Sequence, residues 1–107
     1  MIKHRKISLA ILAFTASIFF ACNLDKPTAC MSLSTDYFMK DSVIVFNNCS
    51  IGADSYLWDF GDGTTSTEES PEHIYTESDT FRVSLNVEGK NGKDEIYHTI
   101  TVWEFEE

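Results

Sequence analysis

The chain has 107 residues, with 17 acidic side chains against eight basic ones and a formal charge of −9 at pH 7. A surface of that sign repels phosphate backbones, which excludes nucleic acid as a partner. Three cysteines and three histidines at these spacings reproduce no zinc-ligand pattern, so a structural zinc is excluded as well.

Residues 1–21 read as a secretory leader: Lys3, Arg5 and Lys6 form a basic start, and Ile7 to Ala21 carry no charge. That apolar run is shorter than the ~20 residues of a stable membrane-spanning helix. It ends Phe19-Phe20-Ala21-Cys22, which resembles a bacterial lipobox, with Phe19 where Leu is usual and Phe20 bulkier than the usual small residue. The resemblance implies that Cys22 becomes the lipid-modified first residue. Ordinary cleavage near Ala21 and an uncleaved anchor are the alternatives. Two or more acyl chains give stable anchoring, so the expected partner at this end is a membrane. Asn23, rather than Asp, after the cysteine points to the outer membrane of a bacterial envelope. Loss of the leader leaves five basic residues against 17 acidic ones, a formal charge of −12. Residues 22–28, with Pro27, form a short tether of at most ~20 Å.

The domain is expected over 29–103. Ala29 to Asp36 reads as a first strand and Ser42 to Asn48 as a second, with Val43, Ile44, Val45 and Phe46 as its apolar content. A hairpin centred near Met39 and Lys40 would set opposite each other residues whose numbers sum to about 79. Cys30 and Cys49 satisfy that sum, and an exported chain is expected to oxidise such a pair. The alternative is two buried free thiols. Closing a loop of this length stabilises by ~3 kcal/mol in the chain-entropy picture. Ser50 to Asp54 then turns into the next strand.

Tyr56, Trp58 and Phe60 alternate with Leu57 and Asp59, the period of two of a half-buried strand. Gly61 and Gly63 bracket Asp62 and allow the positive φ of a sharp corner. Trp58-Asp59-Phe60-Gly61-Asp62-Gly63 resembles the signature of the polycystic kidney disease (PKD) domain. The resemblance implies an all-β, immunoglobulin-like sandwich of two antiparallel sheets and about seven strands. It extends from Thr28 to Val102 and includes the family's His-x-Tyr at His73 and Tyr75, with Asp79 where the family has glycine. Between these motifs, Thr64 to Pro71 reads as a polar edge strand and loop. Phe81, Val83, Leu85 and Val87 alternate with polar residues in the clearest strand of the chain. Gly89 to Gly92 carries an Asn-Gly turn signal, and Asp94 to Trp103 is the last strand, with Ile96, His98, Ile100 and Val102 on one side. Residues 104–107 form an acidic tail.

Candidate chemistry is sparse. Asp59 and Asp62 are expected to accept bonds from backbone N–H groups and from the Thr64 and Thr65 hydroxyls, holding the corner closed; calcium is the weaker reading, because the spacing lacks a loop pattern for it. No nucleophile and base are brought together, so no enzyme activity and no cofactor are expected. Trp58 reads as the central core residue rather than a sugar platform, His73 as a satisfied half-buried side chain, and Tyr75 as a corner tyrosine. Tyr37, Phe38 and Met39 stand in a row at the expected hairpin tip, where an alternating strand cannot bury all three. With Trp103 and Phe105 they form a candidate contact surface, rimmed by Glu104, Glu106 and Glu107, at the end away from the tether; the alternative is that they fold back to cap the bottom of the sandwich. The function expected from these features is a non-catalytic, lipid-anchored envelope module making contacts with an envelope or extracellular protein. Glycan capture and a ligand-free spacer are the alternatives.

Overall fold

A computed structural model describes residues 26–106; the leader, Cys22 and Glu107 lie outside the described residues. Among the described residues nine strands run in order: β1 Met31–Ser32, β2 Tyr37–Met39, β3 Val43–Val45, β4 Asn47–Asn48, β5 Ser55–Asp59, β6 Thr65–Ser66, β7 Glu72–Ile74, β8 Asp79–Gly89 and β9 Gly92–Trp103. One layer is a five-stranded sheet in the order β2-β9-β8-β5-β6. The other is built from the antiparallel pairs β1–β4 and β3–β7. The result is an all-β, immunoglobulin-like sandwich.

The inward rows of both layers meet in one core. Ile44, Phe46, Trp58, Phe60, Tyr75, Val83, Leu85, Val87, Ile100 and Val102 are all buried. In β8 the alternation is regular, with Val83, Leu85 and Val87 inward and Arg82, Ser84 and Asn86 on the other face. The same alternation corrects the reading of the second strand. Only Ile44 and Phe46 enter the core, while Val43 and Val45 are exposed on the outer side. That strand is also broken in two at Phe46, which continues the register of β3 on β7 and donates its N–H to the Pro71 carbonyl (2.9 Å), but receives no bond in return because proline has no N–H.

The expected first hairpin is half present. Met31 faces Asn48 and Ser32 faces Asn47, the register expected from the sum of 79, and Cys30 and Cys49 are joined by a disulfide with Cα atoms 4.9 Å apart. Beyond Ser32 the chain leaves that layer. The Asp36 carbonyl accepts the Thr101 N–H (2.9 Å) and its carboxylate meets His98 Nε2 at 2.6 Å, which draws the segment onto β9. Strand β2 then runs parallel to β9, with Tyr37 beside Thr101, Phe38 beside Val102 and Met39 beside Trp103. So the sandwich is antiparallel except at this edge. The turn that follows places Asp41, a non-glycine, at φ 66°. Its N–H donates to the Tyr75 carbonyl (2.9 Å), a contact that ties this turn to the opposite layer.

At the other end of β9 the hairpin pairs Gly89 with Gly92 around Lys90 and Asn91. The two loop residues are thus one position earlier than the Asn91-Gly92 pair of the turn signal, and the positive φ falls on Gly92 and not on asparagine. Lys26 lies beside Gly92, so the described N-terminus and Trp103 stand at opposite ends of β9. At ~3.3 Å per residue the strand separates them by about 35 Å.

Candidate functional site

Two regions of the sandwich carry the sequence motifs, and they differ in kind. The first is the glycine corner after β5. Gly61 and Gly63 have φ of 82° and 94°. A side chain at Gly61 would also meet the Arg82 carbonyl oxygen at 2.5 Å, so both the conformation and the space require glycine there. The Gly61 N–H donates to Asp59 Oδ1 (3.0 Å), and Asp62 Oδ1 accepts both the Thr64 N–H (3.1 Å) and the Thr64 hydroxyl (2.5 Å). The second oxygen of Asp62 meets His73 Nε2 at 2.7 Å. Sequence reasoning assigned part of this role to Thr65, but it is His73 that completes the network.

His73 lies flat on Phe60, with ring centres 4.0 Å apart, and edge-on to Tyr75 at 4.6 Å. Trp58 and Phe60 on one side and Phe81 on the other extend this into a continuous row of rings. Trp58 is buried, and its indole N–H donates to the Glu69 carbonyl (3.3 Å). The Tyr75 hydroxyl donates to the Phe60 carbonyl at 2.7 Å, so it pins the Trp-Asp-Phe-Gly corner rather than its own loop. Burial pushes the Tyr75 phenol well above its ordinary range, and the charges of Asp62 and Asp59 add to the effect. For Asp62, burial alone would raise the carboxyl. The bonds from the Thr64 hydroxyl, His73 and the Thr64 amide outweigh it and hold the group below its ordinary value. Asp59, Asp62, the Thr64 hydroxyl and His73 Nε2 all make bonds within this corner. Among the described residues, no three His, Cys, Asp or Glu side chains converge to hold a metal ion.

Asp79 causes no strain where the family has glycine. Its φ is not positive, and its carboxylate accepts the Thr80 N–H (2.8 Å) at the start of β8.

The second region is the outer face of the five-stranded sheet. Tyr37 is 62% exposed and Trp103 54%, and they stand on neighbouring strands with Met39 directly beside Trp103. Phe38 turns the other way and packs against the core, as alternation along β2 requires. Phe105, just past the end of β9, is 82% exposed. Lys40 and Glu104 close this end with an ion pair of 2.7 Å and a bond from the Lys40 N–H to the Trp103 carbonyl. The sequence reading missed two members of the face. Tyr97 is 56% exposed, and the Arg82 guanidinium stands 3.7 Å from the centre of its ring. The signal was available, because the alternation that sends Ile96, Ile100 and Val102 inward sends Tyr97, Thr99, Thr101 and Trp103 outward.

Residues 27–103 match the PKD domain family. The chain belongs to that family. Over 40 residues it is 58% identical to collagenase ColA of Bacillus cereus, a stretch that covers 37% of this chain and 4% of the collagenase. The PKD domain thus spans a small fraction of the curated relative it matches. Among solved structures, the PKD1 domain of Vibrio anguillarum Epp superposes with a TM-score of 0.64 at 31% identity, over 76% of this chain and 98% of that domain. A chain from work on the promiscuous specificity of carbohydrate-binding modules of the β-sandwich superfamily superposes with a TM-score of 0.69 at 28% identity. That match covers 77% of this chain and 36% of the other.

Proposed function

We propose that this PKD domain is a non-catalytic interaction module, held by a lipid on Cys22 in a bacterial envelope, that engages its partner through the outer face of the five-stranded sheet. The observation that carries the reading is the exposure of Tyr37 and Trp103, two register positions apart on neighbouring strands, on a sheet face that no other described element covers. Large aromatic side chains left in solvent act as anchors once a partner desolvates them. The glycine corner supports the non-catalytic part. Its carboxylates and histidine are engaged with one another and with the backbone, which suits a lock better than an acid and base pair. The two kinds of partner considered from sequence were an envelope protein and a glycan. The second is favoured by the additional exposed ring of Tyr97 and by the likeness to a chain studied for carbohydrate-binding specificity.

Two measurements test the proposal. Cys22→Ser is expected to move the protein from the membrane to the soluble fraction. Binding of the chain to isolated envelope material is expected to fall when Tyr37 and Trp103 are both changed to alanine. Binding that survives the double substitution overturns the assignment of the face, and membrane retention of the serine variant overturns the lipid anchor.

A further inference from the structure

The interaction face has a layout that names a ligand class. We propose that it binds an uncharged polysaccharide laid along β9, over Tyr97, Tyr37 and Trp103. This rests on the reading of the chain as an interaction module and specifies its partner.

Four features carry the inference. The first is linear arrangement. Tyr97 and Trp103 lie on one face of one strand six residues apart, about 20 Å at ~3.3 Å per residue, and Tyr37 stands between them on the adjoining strand beside Thr101. Three rings in file on a sheet suit a chain of repeating units that each present an apolar ring face.

The second is what lies between the rings. Thr99 and Thr101 on β9 and Thr80, Arg82 and Ser84 on β8 share this face, and none of their side chains hydrogen-bonds another described residue. They offer unspent donors and acceptors to a hydroxyl-rich ligand. The third is charge. The outward residues of β9 and β8 between Tyr97 and Trp103 carry no carboxylate and one cation, Arg82, propped against Tyr97, while Asp59 beside Ser84 and Glu104 and Glu106 beside Trp103 border the strip. The overall negative charge opposes a polyanion and a second copy of the chain alike. The fourth is backbone saturation. β9 is paired on both sides, by β2 and β8, so recognition along β9 itself falls to side chains, the free sheet edge lying beyond it at β2.

The test is affinity electrophoresis of the full chain in neutral detergent, through gels containing hydroxyethyl cellulose, barley β-glucan, xylan or dextran, with polygalacturonate as the charged control. At least one neutral polymer is expected to retard the chain. Tyr97→Ala and Trp103→Ala should each weaken that binding by about tenfold or more, the loss of one anchoring aromatic, whereas Tyr97→Phe should keep it. Near-UV circular dichroism of buried Trp58 reports that each variant is folded. Retardation by none of the neutral polymers, by polygalacturonate alone, or with both alanine variants unaffected, overturns the inference. If the polymers fail while binding to envelope material still depends on Tyr37 and Trp103, the ligand class falls and the module reading stands. If both fail, both fall.

Discussion

Replacing Tyr75 by phenylalanine isolates the corner lock from the packing around it. The substitution keeps the ring that stacks on Phe81 and faces His73, and removes only the hydroxyl that donates to the Phe60 carbonyl at 2.7 Å. Both residues are buried, so water cannot take over the bond. An orphaned buried acceptor costs ~1–3 kcal/mol, and about 2 kcal/mol is the expected loss here. For a domain of this size each kcal/mol corresponds to roughly 4–8 °C, which places the fall in Tm at roughly 8–16 °C. Urea unfolding followed by Trp58 fluorescence measures it, with the midpoint lowered and the slope unchanged. The pH dependence gives an independent readout. The folded Tyr75 phenol titrates above the unfolded one, so the folded state holds its proton longer and its stabilising effect is complete below pH ~10. As pH rises from there toward the folded pKa, stability falls, and the phenylalanine variant lacks that alkaline loss. A stability change below about 0.5 kcal/mol, or an alkaline limb unchanged in the variant, would refute the lock.

The remaining predictions concern the staple, the turn and the carboxylates. Changing Cys30 and Cys49 together to serine should cost ~3 kcal/mol by thermal or urea unfolding, and a reductant should have no further effect on that variant. Gly61→Ala should cost about 2–4 kcal/mol, because a methyl group at φ 82° would press on the Arg82 carbonyl; a neutral effect would mean that the corner relaxes freely. Asp62 titrates below its ordinary value when folded, so its stabilising effect is present above the unfolded pKa and is lost as pH falls through the folded one. Asp62→Asn should therefore flatten the acid limb of the stability profile, and an unchanged limb counts against the network with Thr64 and His73. Millimolar calcium is expected to leave Tm where it is, and a concentration-dependent rise would show a bound ion.

How much of this was legible depends on whether the deciding interactions were local. The alternation over 81–87 and 56–60 settled which side chains of β5 and β8 face the core, because a period of two fixes the face of each side chain once the strand is recognised. The sum of 79 located both the register of β1 on β4 and the disulfide. What it could not show was the departure after Ser32. That switch depends on bonds from Asp36 to Thr101 and His98, more than 60 residues away, and no local pattern encodes a long-range bond. The break at Phe46 was hidden for the same reason, since it falls where the facing residue is Pro71, which has no N–H to return. At the corner, Gly61 and Gly63 announced the turn and Asp62 its local bonds, while the contribution of His73 depended on how the two layers align. The outward residues of β9 were legible in principle. The period of two that marks Ile96, Ile100 and Val102 as inward marks Tyr97 as outward together with Trp103.

The two tryptophans show how the fold separates structure from recognition. Trp58 is closed inside a row of rings that runs through Phe60, His73 and Tyr75 to Phe81, and the corner network fixes that row at its middle, through His73 and Tyr75. Trp103, Tyr97 and Tyr37 project from the opposite side of the same sheet and contribute nothing to the core cluster. A strand with one face committed and the other free lets the two sets vary independently, because each residue belongs to one face only. Exposed substitutions outside strained or buried features change stability by only about 0.5 kcal/mol or less. Loss of binding on changing Trp103 or Tyr97 would therefore report on the contact itself, whereas any change at Trp58, Tyr75 or His73 would mix binding with folding. The same separation explains why the family signature says so little about the ligand: Trp58 to Gly63 build the sandwich, and the residues that would meet a partner lie on other strands and face away from the core.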